Sequence, residues 1–194
     1  ELFTLTGHDG NVNSAGYSPN GQRIVTASWD YTAKVWDAET GTELFTLTGH
    51  DGNVNSAAYS PDGKRIMTAS FDGTATVWDA ETGTKLLTLR GHDRRVSLAT
   101  YSPDGQRIVT AGRNDKTAKV WQAQTGTELF TLKGHDGRVS SVTYGPDGQR
   151  IVTTSSDGTV QIYTTDMDEL LEIANSRVTR QLTAEEKERY HVPN

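Results

Sequence analysis

Histidine, serine and aspartate recur at a fixed spacing along this chain of 194 residues: His8, Ser28 and Asp30, then His50, Ser70 and Asp72, then His135, Ser155 and Asp157. These are the residue types of a nucleophile, its general base and the acid that orients the base, so hydrolysis is the first chemistry to weigh. It is a poor fit, because a nucleophile needs exposure, an oxyanion site and a pocket, and has no reason to recur in near-identical units. The company these residues keep points elsewhere. Trp36 and Trp78 follow the first two aspartates by six residues, and Ser28 and Trp36 fall on the same side of neighbouring strands by two-residue alternation. The indole N–H then reaches the serine hydroxyl, the hydroxyl the imidazole, and the imidazole the carboxylate. The expectation is a structural network, with no catalysis, no cofactor and no metal.

Two sets depart from the pattern. The third keeps His92, Asp115 and Trp121, but its turn, Ala111 to Asp115, is one residue longer and places Gly112 where the serine should be. The fourth offers Tyr163 in place of Trp. A half-satisfied buried network is costlier than a complete one, so the third and fourth sets are expected to hold less tightly than the first two.

The elements that must position these residues are short strands. The chain repeats with period 42, 42 and 43, giving units 1–42, 43–84, 85–127 and 128–165, and the first two differ at only seven of 42 positions. A period of this length signals stacked supersecondary units, not one globular core. Within each unit, β-branched runs such as residues 24–28 and 32–36 are punctuated by turns: Ser18-Pro19-Asn20-Gly21, then SPDG at 60–63 and 102–105 and GPDG at 145–148. Residues 2–6 alternate as a strand does.

Gly-His, an Asp 22 or 23 residues after the His, and Trp six residues beyond that Asp resemble the WD-repeat (WD40) β-propeller family over residues 1–165. The resemblance implies an all-β propeller with four 4-stranded blades per chain. Each sequence repeat would open with the outer strand of the preceding blade. Residues 2–6 then become an outer strand without a blade of its own, and the fourth blade lacks its fourth strand. Four blades would have to meet at about 90°, eight at about 45°. The small inner-strand residues Ala15, Gly16, Ala57 and Ala58 suit nearly parallel stacking, so two chains are expected to close an eight-bladed ring, a homodimer in which outer strands are exchanged, the alternative being a piece of a longer chain whose further blades close it.

The family also implies a platform for other proteins or peptides, with contacts on the face carrying the turns around the network Asp. The candidate contact residues there are Trp29, Tyr31, Phe71, Asn114 and Ser156, since aromatic residues anchor interfaces. Charge adds a second clue: residues 85–127 carry eight Lys and Arg against three Asp and Glu in a chain of net charge -6. Arg94 and Arg95, with Arg138 in the next unit, suit acidic protein segments better than a nucleic-acid track.

Residues 166–194 change character. Met167, Leu170, Leu171, Ala174 and Val178 follow helical spacing, and Thr183 to Glu186 reads as a capping box, so a short α-helical tail is expected. This stretch resembles the ending of bacterial WD-repeat proteins that carry a STAND-type NTPase, although no GxxxxGK loop is present in this sequence. There is no membrane-length apolar run and no export signal, and the lack of Cys excludes disulfides without fixing a compartment; together with what the tail's resemblance implies, the expected setting is the bacterial cytoplasm. A sensor or recruiting fragment of a signalling NTPase, or an engineered repeat assembly without a natural ligand, remain the alternatives to a non-catalytic scaffold.

Overall fold

In a computed structural model, which describes residues 2–166, fifteen strands form four antiparallel sheets. The first contains β1 (Val12–Tyr17), β2 (Arg23–Ser28), β3 (Ala33–Asp37) and β4 (Glu43–Leu47), in chain order. The second repeats this with β5 (Val54–Tyr59), β6 (Arg65–Ser70), β7 (Thr74–Asp79) and β8 (Lys85–Arg90), and the third with β9 (Val96–Tyr101), β10 (Arg107–Gly112), β11 (Ala118–Gln122) and β12 (Glu128–Leu132). Among the described residues the fourth has only three strands, β13 (Val139–Tyr144), β14 (Arg150–Ser155) and β15 (Val160–Thr164). The expected helical tail lies outside the described residues.

The turns are built as their residues dictate. Gly21 sits at φ +72° and donates to the Ser18 carbonyl at 2.8 Å, while Ser18 Oγ accepts from the Arg23 N–H at 2.9 Å. The side chain thus fastens the turn from β1 into β2. A register shift recurs where the two innermost strands of each sheet meet, between Val12 and Ser14, Val54 and Ser56, Ala111 and Gly112, and Val139 and Ser141. Each is a bulge that bends the strand beside the turn carrying the network Asp.

Strand alternation gives every sheet two apolar faces, and each junction between consecutive sheets buries one from either side. Val25, Ala27, Val35 and Leu47 of the first sheet pack on Val54, Ala57, Ile66 and Trp78 of the second. Met67, Val77 and Leu89 meet Val96, Ile108 and Trp121 at the next junction, and Val109, Val120 and Leu132 meet Val139, Val142 and Ile151 at the third. The inner strands follow one another, β1 beside β5, β5 beside β9 and β9 beside β13. Among the described residues no comparable packing joins β13 back to β1.

Among the described residues the row of sheets therefore has two open faces. Val12 is 52% exposed, whereas Val54 at the same place in the second repeat is 0% exposed. At the other end Val160 and Ile162 are 62% and 66% exposed, where their counterparts Ala118 and Val120 are 1% and 0%.

Residues 2–6 do not form the expected strand. The reason is non-local: a strand needs a neighbouring sheet edge, and no sheet precedes β1 within the described residues. Their placement is informative all the same. Phe3 lies against Gly41 as Phe45 lies against Gly83, so the segment already occupies the position of an outer strand packed on the following sheet.

Candidate functional site

The recurring polar set lies at one end of each sheet, where residues inside the strands meet a His from the preceding loop and an Asp from a turn, largely shielded from solvent. In the first repeat Trp36 Nε1–H donates to Thr26 Oγ1 at 2.8 Å, Thr26 Oγ1 lies 2.7 Å from His8 Nε2, and His8 Nδ1 lies 2.7 Å from Asp30 Oδ2. A carboxylate can only accept, so Nδ1 carries the proton, Nε2 accepts, and the threonine hydroxyl donates to it. Every polar atom of the chain from indole to carboxylate is satisfied. The second repeat reproduces the relay through Trp78, Thr68, His50 and Asp72, at 2.9, 2.7 and 2.7 Å in turn.

This corrects the expected role of the serines. Ser28, Ser70 and Ser155 are not the relay hydroxyls; Thr26, Thr68, Thr110 and Thr153 are. Trp36 is paired with Ile24 across the β2–β3 ladder. Thr26 is two residues along on the same face, but Ser28 is four, roughly 13 Å from Ile24 at strand rise and beyond the reach of the indole. The serine serves the turn instead: Ser28 Oγ accepts from the Asp30 N–H at 3.2 Å, and Ser155 Oγ from that of Asp157 at 3.2 Å. Sequence reasoning fixed the correct face and chose the wrong residue on it. The signal that would have found it is a threonine two residues before that serine position in all four repeats.

The third repeat is consequently intact where a gap was expected. Trp121 donates to Thr110 at 2.9 Å, and His92 bridges Thr110 at 2.7 Å and Asp115 at 2.6 Å. Gly112 is required for another reason: a Cβ there would overlap Asp115 Oδ1 and the His92 ring. What the longer turn does loosen is Thr117, whose hydroxyl is buried without a hydrogen-bond partner. The matching hydroxyls of Thr32 and Thr74 each donate to their aspartate at 2.7 Å. In the fourth repeat His135 reaches Thr153 at 2.7 Å and Asp157 at 3.0 Å, and Tyr163 turns its hydroxyl to Gln161 and the Lys133 carbonyl.

Burial alone would raise the carboxyl pKa of Asp30, but hydrogen bonds from Thr32 and His8, with backbone N–H groups of Thr32 and Asp9, outweigh it and bring the value down to about 2. Asp72, Asp115 and Asp157 are lowered in the same direction. In Asp72 and Asp115 burial again opposes and the histidine bond leads the lowering; in Asp157 the Thr159 hydroxyl leads. Asp30 and Asp72 accept from four donors, Asp157 from five and Asp115 from two, and an aspartate held ionised in this way is a lock for two turns with no proton to exchange at neutral pH. The relay hydroxyls are buried in every repeat, which is the opposite of what a nucleophile requires.

The rim around the locks is where the repeats differ. Trp29 and Tyr31 are 42% and 50% exposed, and Tyr31 holds φ +72°, where the second repeat has Gly73. Phe71 does not share the exposure of Trp29: the guanidinium carbons of Arg95 and Arg113 lie 5.0 and 5.5 Å from its ring centroid. Arg94, Asn114, Arg138 and Ser156 are exposed. Ser156 Oγ is engaged, accepting from the Arg138 N–H at 2.9 Å. Arg95 and Arg113, 18 residues apart in sequence, both meet Phe71, and sequence spacing gave no sign of that shared ring.

The family described as WD domain, G-beta repeat matches residues 1–37, 41–79, 83–122 and 126–164. Single stretches are similar to curated proteins. These include the periodic tryptophan protein 2 homolog of Neurospora crassa, 43% identical over 42 residues, 22% of this chain and 5% of that protein. The ribosome biogenesis protein WDR12 homolog of Drosophila persimilis is 54% identical over 33 residues, 17% of this chain and 8% of that protein. Periodic tryptophan protein 2 of Saccharomyces cerevisiae is 48% identical over 40 residues, 21% of this chain and 4% of that protein. The chain thus matches less than a tenth of the length of these relatives, and none of them ties it to a bacterial NTPase. Four matched repeats, each built as a sheet locked by the same Thr-His-Asp relay, with a Trp closing it in the first three, place the chain in the WD40 repeat family.

Proposed function

We propose that this chain is a non-catalytic protein-interaction scaffold whose open sheet faces are themselves association surfaces, and that two chains close an eight-sheet ring. The observation that carries the reading is the exposure of Val12, Val160 and Ile162, whose equivalents are buried at every internal junction. The two open faces present the two halves of an interface the chain already makes three times. The seating of Phe3 against Gly41 supports this reading, in which residues 2–6 supply the fourth strand beside β15 of a second chain.

Light scattering or sedimentation tests this. The expected mass is twice the 21.2 kDa of one chain, falling to one chain for Val12→Lys and for Ile162→Lys, which a lone chain tolerates because both positions are exposed. A stable, non-associating wild-type species of 21.2 kDa overturns the two-chain ring.

A further inference from the structure

We infer that the turn cluster of Phe71, Arg94, Arg95 and Arg113 is a docking site for the carboxylates of an acidic polypeptide segment. The inference rests on the scaffold reading and names the kind of partner it takes. Two guanidinium groups meet one ring, their carbons 5.0 and 5.5 Å from its centroid. Like charges gathered at one ring repel unless something is shared between them. The ring's face supplies part of that compensation, and an anion would supply the rest.

No ion pair among the described residues uses Arg94, Arg95 or Arg113. The acids nearest in sequence are mostly committed: Asp72 is held by His50 and Thr74, and Asp115 by His92 and the Thr117 N–H. Asp93 stands exposed in the same loop. Against it are Arg94 and Arg95 in that loop, and Arg113 and Lys116 in the next turn.

With neither guanidinium in an ion pair among the described residues, their N–H donors can be shared by the two oxygens of a carboxylate. The first repeat shows what makes the cluster particular. Where Arg94 and Arg95 stand in the third repeat, the second has Gly52 and Asn53, so Trp29 faces no comparable charge. Gly73 completes the site: its Cβ would lie 3.4 Å from Arg94 Cα, so a side chain there would crowd the basic loop. The basic repeat is flanked by acidic ones, which favours a short acidic stretch over a long phosphate backbone.

The test is fluorescence anisotropy with the 194-residue chain and a labelled peptide of alternating Glu and Gly, against a single-stranded oligonucleotide of equal charge. The expected result is peptide binding that weakens with salt, since charges farther apart than about 8 Å are screened at physiological ionic strength. Arg95→Ala with Arg113→Ala is expected to weaken it by about tenfold. Phe71→Ala, which keeps every charge and loses the ring, should weaken it by about threefold. Lys64→Ala, on a turn of the other end, should change nothing. No peptide binding, equal binding by the double variant, or tighter binding of the oligonucleotide overturns the site. A chain that still forms a species of twice 21.2 kDa yet ignores the peptide sinks this inference alone and leaves the ring standing.

Discussion

The first and second repeats are almost the same sequence in different surroundings. Seven of 42 positions differ, yet Val12 is half-exposed and Val54 buried, and the segment LFTL makes a strand at 44–47 and none at 2–5. What is alike in both is everything a repeat can do alone: the hairpins, the bulge, and the relay from Trp to Asp. What differs is everything that needs a neighbour. In a repeat protein, stability divides into a part intrinsic to each unit and a part belonging to the junctions. This pair separates the two with nearly no change of side chains.

Acid should have the widest effect, because it acts on the intrinsic part of all four repeats together. An aspartate with a lowered folded-state pKa stabilises fully above its unfolded value of about 3.9, and that contribution drains away as pH falls through the folded value. For Asp30 the folded value is about 2. The thermal midpoint should therefore hold steady down to about pH 4 and fall steeply toward pH 2. A midpoint that drops mainly between pH 7 and 5 would point to other groups, on the order of the His range.

Among single substitutions the relay comes first. Thr68→Val keeps shape but leaves a buried indole N–H and imidazole nitrogen unpaired, at a cost of about 2–4 kcal/mol. Thr26→Val should cost much the same, since the relay lies within one repeat. Ser70→Ala, which loses the bonds to the Asp72 N–H and the Gly52 carbonyl but leaves the relay closed, should cost about 1–2 kcal/mol. Equal effects of Thr68→Val and Ser70→Ala in denaturant melts would break the assignment of the hydroxyl.

The junction part follows. Val54→Ala removes buried methyl groups and should cost about 2 kcal/mol, against a few tenths for Val12→Ala in a lone chain. If the two costs converge at high protein concentration, the open face of the first sheet has found its partner. Gly112→Ser, which restores the residue found in the other repeats, is expected to destabilise by about 1–3 kcal/mol through overlap with His92 and Asp115.

The smallest effect is a gain. Tyr31 sits at φ +72°, a left-handed backbone that costs a non-Gly residue roughly 1 kcal/mol, and the second repeat has Gly there. Tyr31→Gly should stabilise by about 0.5 kcal/mol after the entropy of the extra glycine is counted. A loss of stability would mean that the Tyr31 ring makes packing contacts worth more than the strain.

Much of the fold was legible in the sequence, for a physical reason: turns and strand alternation are local, so Pro19, Gly21 and the runs around Val25 and Val35 declare them. The lock was half legible. Alternation put the hydroxyl on the correct face, but choosing between Thr26 and Ser28 needs the cross-strand register, which pairs Trp36 with Ile24 and is written in no single strand. The partner rim was less so. Nothing in the spacing of Phe71, Arg95 and Arg113 reveals that one ring meets two cations, because that contact forms across a sheet junction.

The position of the relay hydroxyl has a consequence for how such chains can change. Because the lock closes through a threonine inside the strand, the loop beyond it can lengthen by a residue, as between Ala111 and Asp115, without opening the lock. Insertions and new charges can accumulate at these tips while the scaffolding behind them stays constant. Recognition and architecture can then drift at different speeds within one repeat.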